Sequence, residues 1–332
     1  MKPLDFLAVG DIVIDAFIKL HDARVHCNIN DEDCEICMRW GDKIPYESAT
    51  VVPAVGNSAN ASVAAARLGL NAGLRAYVGG GQNGQECLTA LIREKVDVTY
   101  VEKQADKETH INYVLWYEHE RTILVKYETF EYTVPAMAQP PRWVYLTSLA
   151  ANSLPYHAMW AQVLKRWPDA KLAFQPGTFQ MEMGAAALAD IYKRSDIFFC
   201  NKEEAERILG MPSGSDIKAL LSGISTFGPK IAVITDDVRG SYYRDETGAM
   251  AHVPRYPDPR PPFEITGAGD ALAAGTTCAL ALGKPLVEAL KWGSVEASAV
   301  IQEIGAQKGL LTREQLEHNL NNPPAPWEIS PL

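Results

Sequence analysis

No run of about 18 consecutive apolar residues occurs in this 332-residue chain, so no membrane-spanning helix is expected. The stretch from Met1 to Asp11 holds too short an apolar run for a secretory signal. Cysteine is sparse, at 6 residues, which argues against a disulfide scaffold and for a reducing, cytoplasmic setting. Positive charge is in deficit. The 31 Lys and Arg against 41 Asp and Glu leave a net charge of −10, the wrong sign for a general nucleic-acid binder. The pattern Gly-x-x-x-x-Gly-Lys-Ser/Thr is missing, which excludes a P-loop nucleotide enzyme. There is neither an internal repeat nor a long low-complexity linker. What the chain does have is apolar bulk, 47% of its residues, enough to bury a substantial core.

Short apolar runs alternate with helical patterns. Phe6–Val9 continuing past Gly10 into Ile12–Ile14, then Gly73–Val78, Trp143–Leu146, Lys171–Phe174, Ile197–Cys200 and Lys230–Thr235 read as strands. Ser58–Leu70, Cys87–Lys95 and the stretches 155–166, 182–193, 202–209 and 215–226 read as helices, and the last third beyond Asp270 is mostly helical. Such alternation predicts an α/β fold, a three-layer αβα sandwich around a mostly parallel sheet. Ligands of such sheets bind beyond the carboxyl ends of the strands. Residues 16–53 break the rhythm, and 111–117 with 122–127 read as a hairpin. We expect a main α/β core over 1–315, a small β-sheet lid from about 16–53 and 109–128, and a C-terminal tail at 316–332. Pro254–Pro262 is expected to be a loop.

The most informative segment is Glu264-Ile-Thr-Gly-Ala-Gly-Asp-Ala-Leu-Ala-Ala-Gly275. A Gly-Ala-Gly turn running into a small-residue helix offers unpaired amides and a favourable dipole to an anion. Asp270 would repel a bound phosphate unless it serves as a base for a hydroxyl that attacks that phosphate. A plain helix cap after a glycine turn is the alternative reading.

Three separated motifs carry a resemblance: Gly10-Asp-Ile-Val-Ile-Asp15, Val55-Gly-Asn-Ser-Ala-Asn60 and the Thr266-Gly-Ala-Gly-Asp270 segment, with Asn201-Lys-Glu-Glu204 as a fourth. In order and spacing the chain resembles the ribokinase-like (PfkB) family of carbohydrate and nucleoside kinases over residues 5–310. The resemblance implies that Asp270 is the general base and that the amides of Gly267, Ala268 and Gly269 hold the transferring phosphoryl group. It implies Asp15, Gly56, Asn57 and Asn60 as substrate-binding residues, and Asn201, Glu204, Thr235, Gly240 and Thr266 around ATP. Mg²⁺ would be held through water by Glu204. The acceptor implied is a small sugar or sugar derivative. A nucleoside kinase is the alternative, with Phe17, Trp40 and Tyr113 as residues to pack a base, and a non-catalytic sensor is a more distant one. Relatives often pair through their lids, which implies a homodimer.

The chain also departs from the family pattern. Glu264 and Ile265 stand where Asp-Thr is usual, which counts against monovalent-cation activation. Asp237 stands where glycine is common, Val55 replaces a glycine, and Asn57 replaces the lysine typical of ribokinase itself. Gly79-Gly-Gly-Gln-Asn-Gly84 with Glu102 downstream mimics a dinucleotide-binding fingerprint. Cys27, Cys34 and Cys37, with His21 and His26 nearby, could supply a structural zinc site. Three free thiols are the reading we favour there, because the spacing is irregular.

Overall fold

The computed structural model describes residues 3–27, 34–118, 120–263 and 265–332. Its backbone is a nine-stranded sheet, with the strand at Ala72–Arg75 on one edge. Next in order come Phe6–Val9, Trp143–Leu146, Lys171–Phe174, Ile197–Asn201 and Ile231–Thr235, all parallel. Three antiparallel strands complete the far edge: Ser241–Arg244, Met250–Val253 and Ser330–Pro331. The expected α/β sandwich is what forms.

Why these runs become central strands is visible in Phe6–Val9. Phe6 and Ala8 belong to the core on one face of the sheet, Leu7 and Val9 to the core on the other. A strand covered on both faces must be apolar at every position rather than at alternate ones. Helices supply the cover. Asn57–Arg67, Ala268–Ala281 and Leu286–Val300 pack on the first face, and Leu154–Arg166, Ala189–Arg194 and Ile217–Ser225 on the second. Ala268–Ala281 is nearly all small residues, which lets its neighbours approach closely: a methyl on Gly275 would lie 3.1 Å from the Gly293 Cα of the next helix.

A smaller, four-stranded sheet forms the lid. Val13–Leu20 pairs antiparallel with Tyr46–Val55 and parallel with Ile111–Tyr117, which forms a hairpin with Glu120–Lys126. A small appendage, Arg24–His26 against Glu35–Cys37, projects from it. Three boundaries differ from expectation. Gly73–Val78 is two strands, Ala72–Arg75 in the main sheet and Tyr77–Gly79 paired with Glu102–Gln104. The helix expected over 182–193 is broken into Thr178–Met183 and Ala189–Arg194 where Gly184 takes φ +83°. Residues 316–332 are not a detached tail: Leu316 is buried, Trp327 packs edge-on to Tyr256 at 5.1 Å, and Ser330–Pro331 joins the sheet.

The appendage overturns both readings of its cysteines. Cys27 and Cys34 are joined in a disulfide and only Cys37 of the three is free. Among the described residues no cluster of His, Cys, Asp or Glu is placed to hold a metal ion, so the zinc set is not assembled. Strand register explains the pairing: with His26 opposite Glu35, the next residues outward are Cys27 and Cys34. Cys37 lies at the other end of the ladder, opposite Arg24. No helix among the described residues is long and apolar enough to cross a membrane.

Candidate active site

Two adjoining cavities lie past the carboxyl ends of the parallel strands. One, of about 430 Å³, is lined by Thr235, Asp236, Asp237, Gly240, Arg255 and an apolar wall that includes Leu272, Ala297 and Ile301. The other, of about 420 Å³, is lined by Asn57, Tyr127, Ser148, Gln175, Glu204 and Asp270 among others. Asn201, Thr235, Ile265, Ala268, Gly269 and Leu272 line both. Asn201 and Thr235 are opposite each other at the ends of adjacent parallel strands, which is why residues 34 apart in sequence share a wall.

The turn between the cavities is shaped by its glycines. Gly267 caps the helix Ala268–Ala281 with φ +82°, and a methyl on it would lie 2.4 Å from the Ala306 Cβ. Only glycine meets both demands. Gly269 is different: beyond its chain neighbours and its own helix backbone, nothing among the described residues lies within 4 Å of where its Cβ would be. The space it leaves opens into both cavities beside the first amides of the helix, which is where an anion is favoured.

Asp270 follows at once, and both of its oxygens are held. Asn60 Nδ2 donates to Oδ2 at 2.9 Å and Gln175 Nε2 donates to Oδ1 at 3.1 Å. Those donors are themselves fixed. Gln307 Nε2 donates to Asn60 Oδ1 at 3.0 Å, and the Tyr145 hydroxyl donates to Gln175 Oε1. Burial pushes the Asp270 carboxyl above the usual carboxylate range, while the Asn60 and Gln175 hydrogen bonds pull it back. The result is a carboxylate oriented by neutral amides, with no cation paired to it among the described residues.

Gln175 was not among the expected residues. Its signal was positional: a polar residue just past Lys171–Phe174, before Pro176-Gly177, at the carboxyl end of a parallel strand. Asn60 is buried and reaches Asp270 rather than lining the open cavity. Asp15 lies on the lid strand, where Asn112 Nδ2 donates to Oδ1 at 3.0 Å, and neither it nor Gly56 lines the cavity. Asn57 does line it.

Asn201 and Glu204 serve two purposes. Asn201 Oδ1 accepts from Glu204 N and Glu204 Oε2 accepts from Asn201 N, each at 2.8 Å, which is a capping box for Lys202–Leu209. Both residues also line the Asp270 cavity. Burial raises the Glu204 carboxyl, and the charge of Asp270 raises it further. A buried carboxylate raised by the charge of a second one suits a divalent cation near it.

From the lid, Arg121 Nη1 donates to Thr266 Oγ1, and Trp116 meets Phe263 edge-on at 6.2 Å. The lid and the segment leading into the Gly267 turn are therefore in contact. Glu264 lies outside the described residues. Asp237 takes the left-handed φ of +45° in a tight turn that ends at Gly240.

The dinucleotide-like segment is accounted for by packing. A methyl on Gly79 would lie 2.4 Å from Lys107 O, and one on Gly84 would lie 2.1 Å from Gly79 O. Glu102 pairs with Arg75 at 2.7 Å. Neither Gly79 nor Glu102 lines the two cavities.

Residues 24–313 match the pfkB family of carbohydrate kinases. The chain belongs to the pfkB family. A cytidine kinase of Thermococcus kodakarensis is 33% identical over 119 residues, 36% of this chain and 41% of that protein, so the match spans less than half of that relative. A nucleoside kinase of Methanothermobacter thermautotrophicus is 25% identical over 259 residues, 77% of this chain and 80% of its own length. Among solved structures, Arabidopsis thaliana ribokinase complexed with ribose and ATP superposes with a TM-score of 0.81 at 18% identity. That alignment covers 96% of this chain and 99% of the ribokinase. At that identity the likeness shows the ribokinase fold.

Proposed function

We propose that this pfkB-family protein transfers the γ-phosphoryl group of ATP to a hydroxyl of a small sugar or sugar derivative, in the cavity that holds Asp270. The single observation that carries the reading is Asp270 at the helix N-terminus beside open amides, with both oxygens oriented by Asn60 and Gln175. ATP would lie along the cavity lined by Thr235, Gly240 and Leu272, its terminal phosphate over Gly269. Asp270 takes the proton of the acceptor hydroxyl. The freed oxygen attacks phosphorus, the bond to the bridging oxygen breaks, and ADP leaves. The amides of Gly267, Ala268 and Gly269 hold the charge on the transferring group. Asn201 and Glu204 are the residues present to hold Mg²⁺ through water, and that ion would supply charge neutralisation of the phosphates. Asn57 would bind the acceptor, Asp15 would reach it from the lid, and Arg121 would steady the Thr266 turn. Exposed apolar side chains on the lid, including Val51 and Ile123, support pairing of two copies through their lids.

A nucleoside acceptor is the second reading, favoured by Tyr127, whose ring lines the acceptor cavity and meets Phe179 edge-on at 5.1 Å. The test is ADP release with Mg·ATP across simple sugars and the common nucleosides. Turnover on one class should fall by about three orders of magnitude in Asp270→Asn. Undiminished turnover in that variant would sink the mechanism.

A further inference from the structure

We propose that the acceptor of this kinase is an electrically neutral polyhydroxy compound, and that the site discriminates against phosphorylated sugars and sugar acids. This rests on the kinase reading of the same cavity. Its polar lining on the acceptor side is uncharged: Asn57, Tyr127, Ser148, Gln175 and Thr178. These groups donate to and accept from hydroxyls, and none supplies the fixed positive charge by which proteins recognise phosphate or carboxylate.

The charges that are present are negative. Asp270 and Glu204 line the cavity. Asp15 stands on the adjoining lid strand, and Asp11 acts on the Tyr127 hydroxyl from behind, adding to the burial that raises it. Asp11 Oδ2 accepts from Tyr132 at 2.7 Å and from Ala150 N at 2.8 Å, and His110 Nε2 is 3.7 Å away. Neighbouring cations are committed elsewhere. Lys126 pairs with Glu108, Lys107 lies 3.9 Å from Glu128, and Arg121 is on Thr266 at the phosphoryl-transfer end. The other cavity carries Lys202 and Arg255 together with Glu203, Asp236 and Asp237, and Arg255 is paired with Asp258 at 2.5 Å. A second anionic group on the acceptor would be buried among carboxylates, where screening by salt is weak.

The test uses matched pairs with the full chain and Mg·ATP. The pairs are ribose and ribose 5-phosphate, fructose and fructose 6-phosphate, and each common nucleoside with its 3′-monophosphate. The neutral member of the productive pair should show kcat/KM higher by about 100-fold or more. Thr178→Lys, which places a cation on the exposed start of Thr178–Met183, should narrow that ratio by about tenfold. Calorimetric titration with the same pairs reads the preference without turnover. A wild-type preference for the phosphorylated member, in rate or in binding, overturns the proposal. If that preference appears while Asp270→Asn is inactive, the kinase reading stands and this one alone falls. If Asp270→Asn keeps full turnover while neutral acceptors are still preferred, the mechanism falls and this proposal stands.

Discussion

The central sheet and the lid are both built of β-strands, and they obey opposite rules. Every residue of Phe6–Val9 is fully buried, whereas on the lid Tyr46, Val51 and Ile123 are each at least half exposed. A core strand is fixed by packing on two faces, and a lid strand by its ladder and one face. The difference teaches where precision resides. Asp270 and the amides proposed to act beside it sit on a core helix, with Asp270 held by Asn60 and Gln175 and Gly267 packed on Ala306. The lid reaches the same turn through a long side chain, Arg121, and an edge-on ring pair, Trp116 with Phe263.

The comparison breaks most sharply if the core turn tolerates change. Gly267→Ala asks for a methyl 2.4 Å from Ala306 at φ +82°, and should cost about 2 kcal/mol or more of stability. Turnover should fall by about 100-fold as the amides lose their aim. Thermal unfolding and steady-state kinetics check both parts, and a variant matching wild type in both would show that the turn is not braced.

The next largest effect belongs to a side chain that orients Asp270, the proposed base. Gln175→Ala should lower turnover by about tenfold or more. It also has a pH signature. The Gln175 hydrogen bond stabilises the ionised form of Asp270 and so lowers its pKa; removing it leaves that pKa higher still. With Asp270 as the proposed base, activity needs the carboxylate, so the acid limb of the kcat/KM profile should move to higher pH. A lower rate with an unmoved limb would mean that Gln175 acts only on packing.

Arg121→Ala sharpens the other side. A lid contact that closes over the turn, without building it, should cost about tenfold in kcat/KM and leave the unfolding temperature of the core within about 2 °C of wild type. A large loss of stability would mean that lid and core are one packed unit.

Much of this was legible in the sequence because period and spacing carry it. Fully apolar four-residue runs could only be doubly covered strands, and Gly-Ala-Gly-Asp could only be a turn entering a helix. Gln175 escaped because its place at a strand's carboxyl end is shared by many polar residues; its meaning comes from facing Asp270 across 95 positions of sequence. Asn60 was read as a ligand for substrate, and its place against Asp270 depends on how the helix Asn57–Arg67 sits beside Ala268–Ala281. The split of Gly73–Val78 follows from Arg75, which turns inward to Glu102, Tyr77 and Thr133, a tertiary choice with no local signal. The antiparallel edge was missed for a similar reason, since Ser241–Arg244 and Met250–Val253 are strands only by virtue of the edge they extend.

The last strand of that edge has a consequence for how the molecule behaves in a crowd. Ser330–Pro331 lies on His252 and Ala251, and Leu332 N donates to Met250 O at 3.1 Å. The strand Met250–Val253 would otherwise offer a row of open amides and carbonyls to any extended chain that met it. Two residues cover that row, and the outermost carries a proline, which has no N–H with which to recruit another strand. Shortening the protein by its final six residues would strip away this seal, together with the Trp327 anchor behind it. The folded core could keep its shape and still become sticky, joining copies edge to edge.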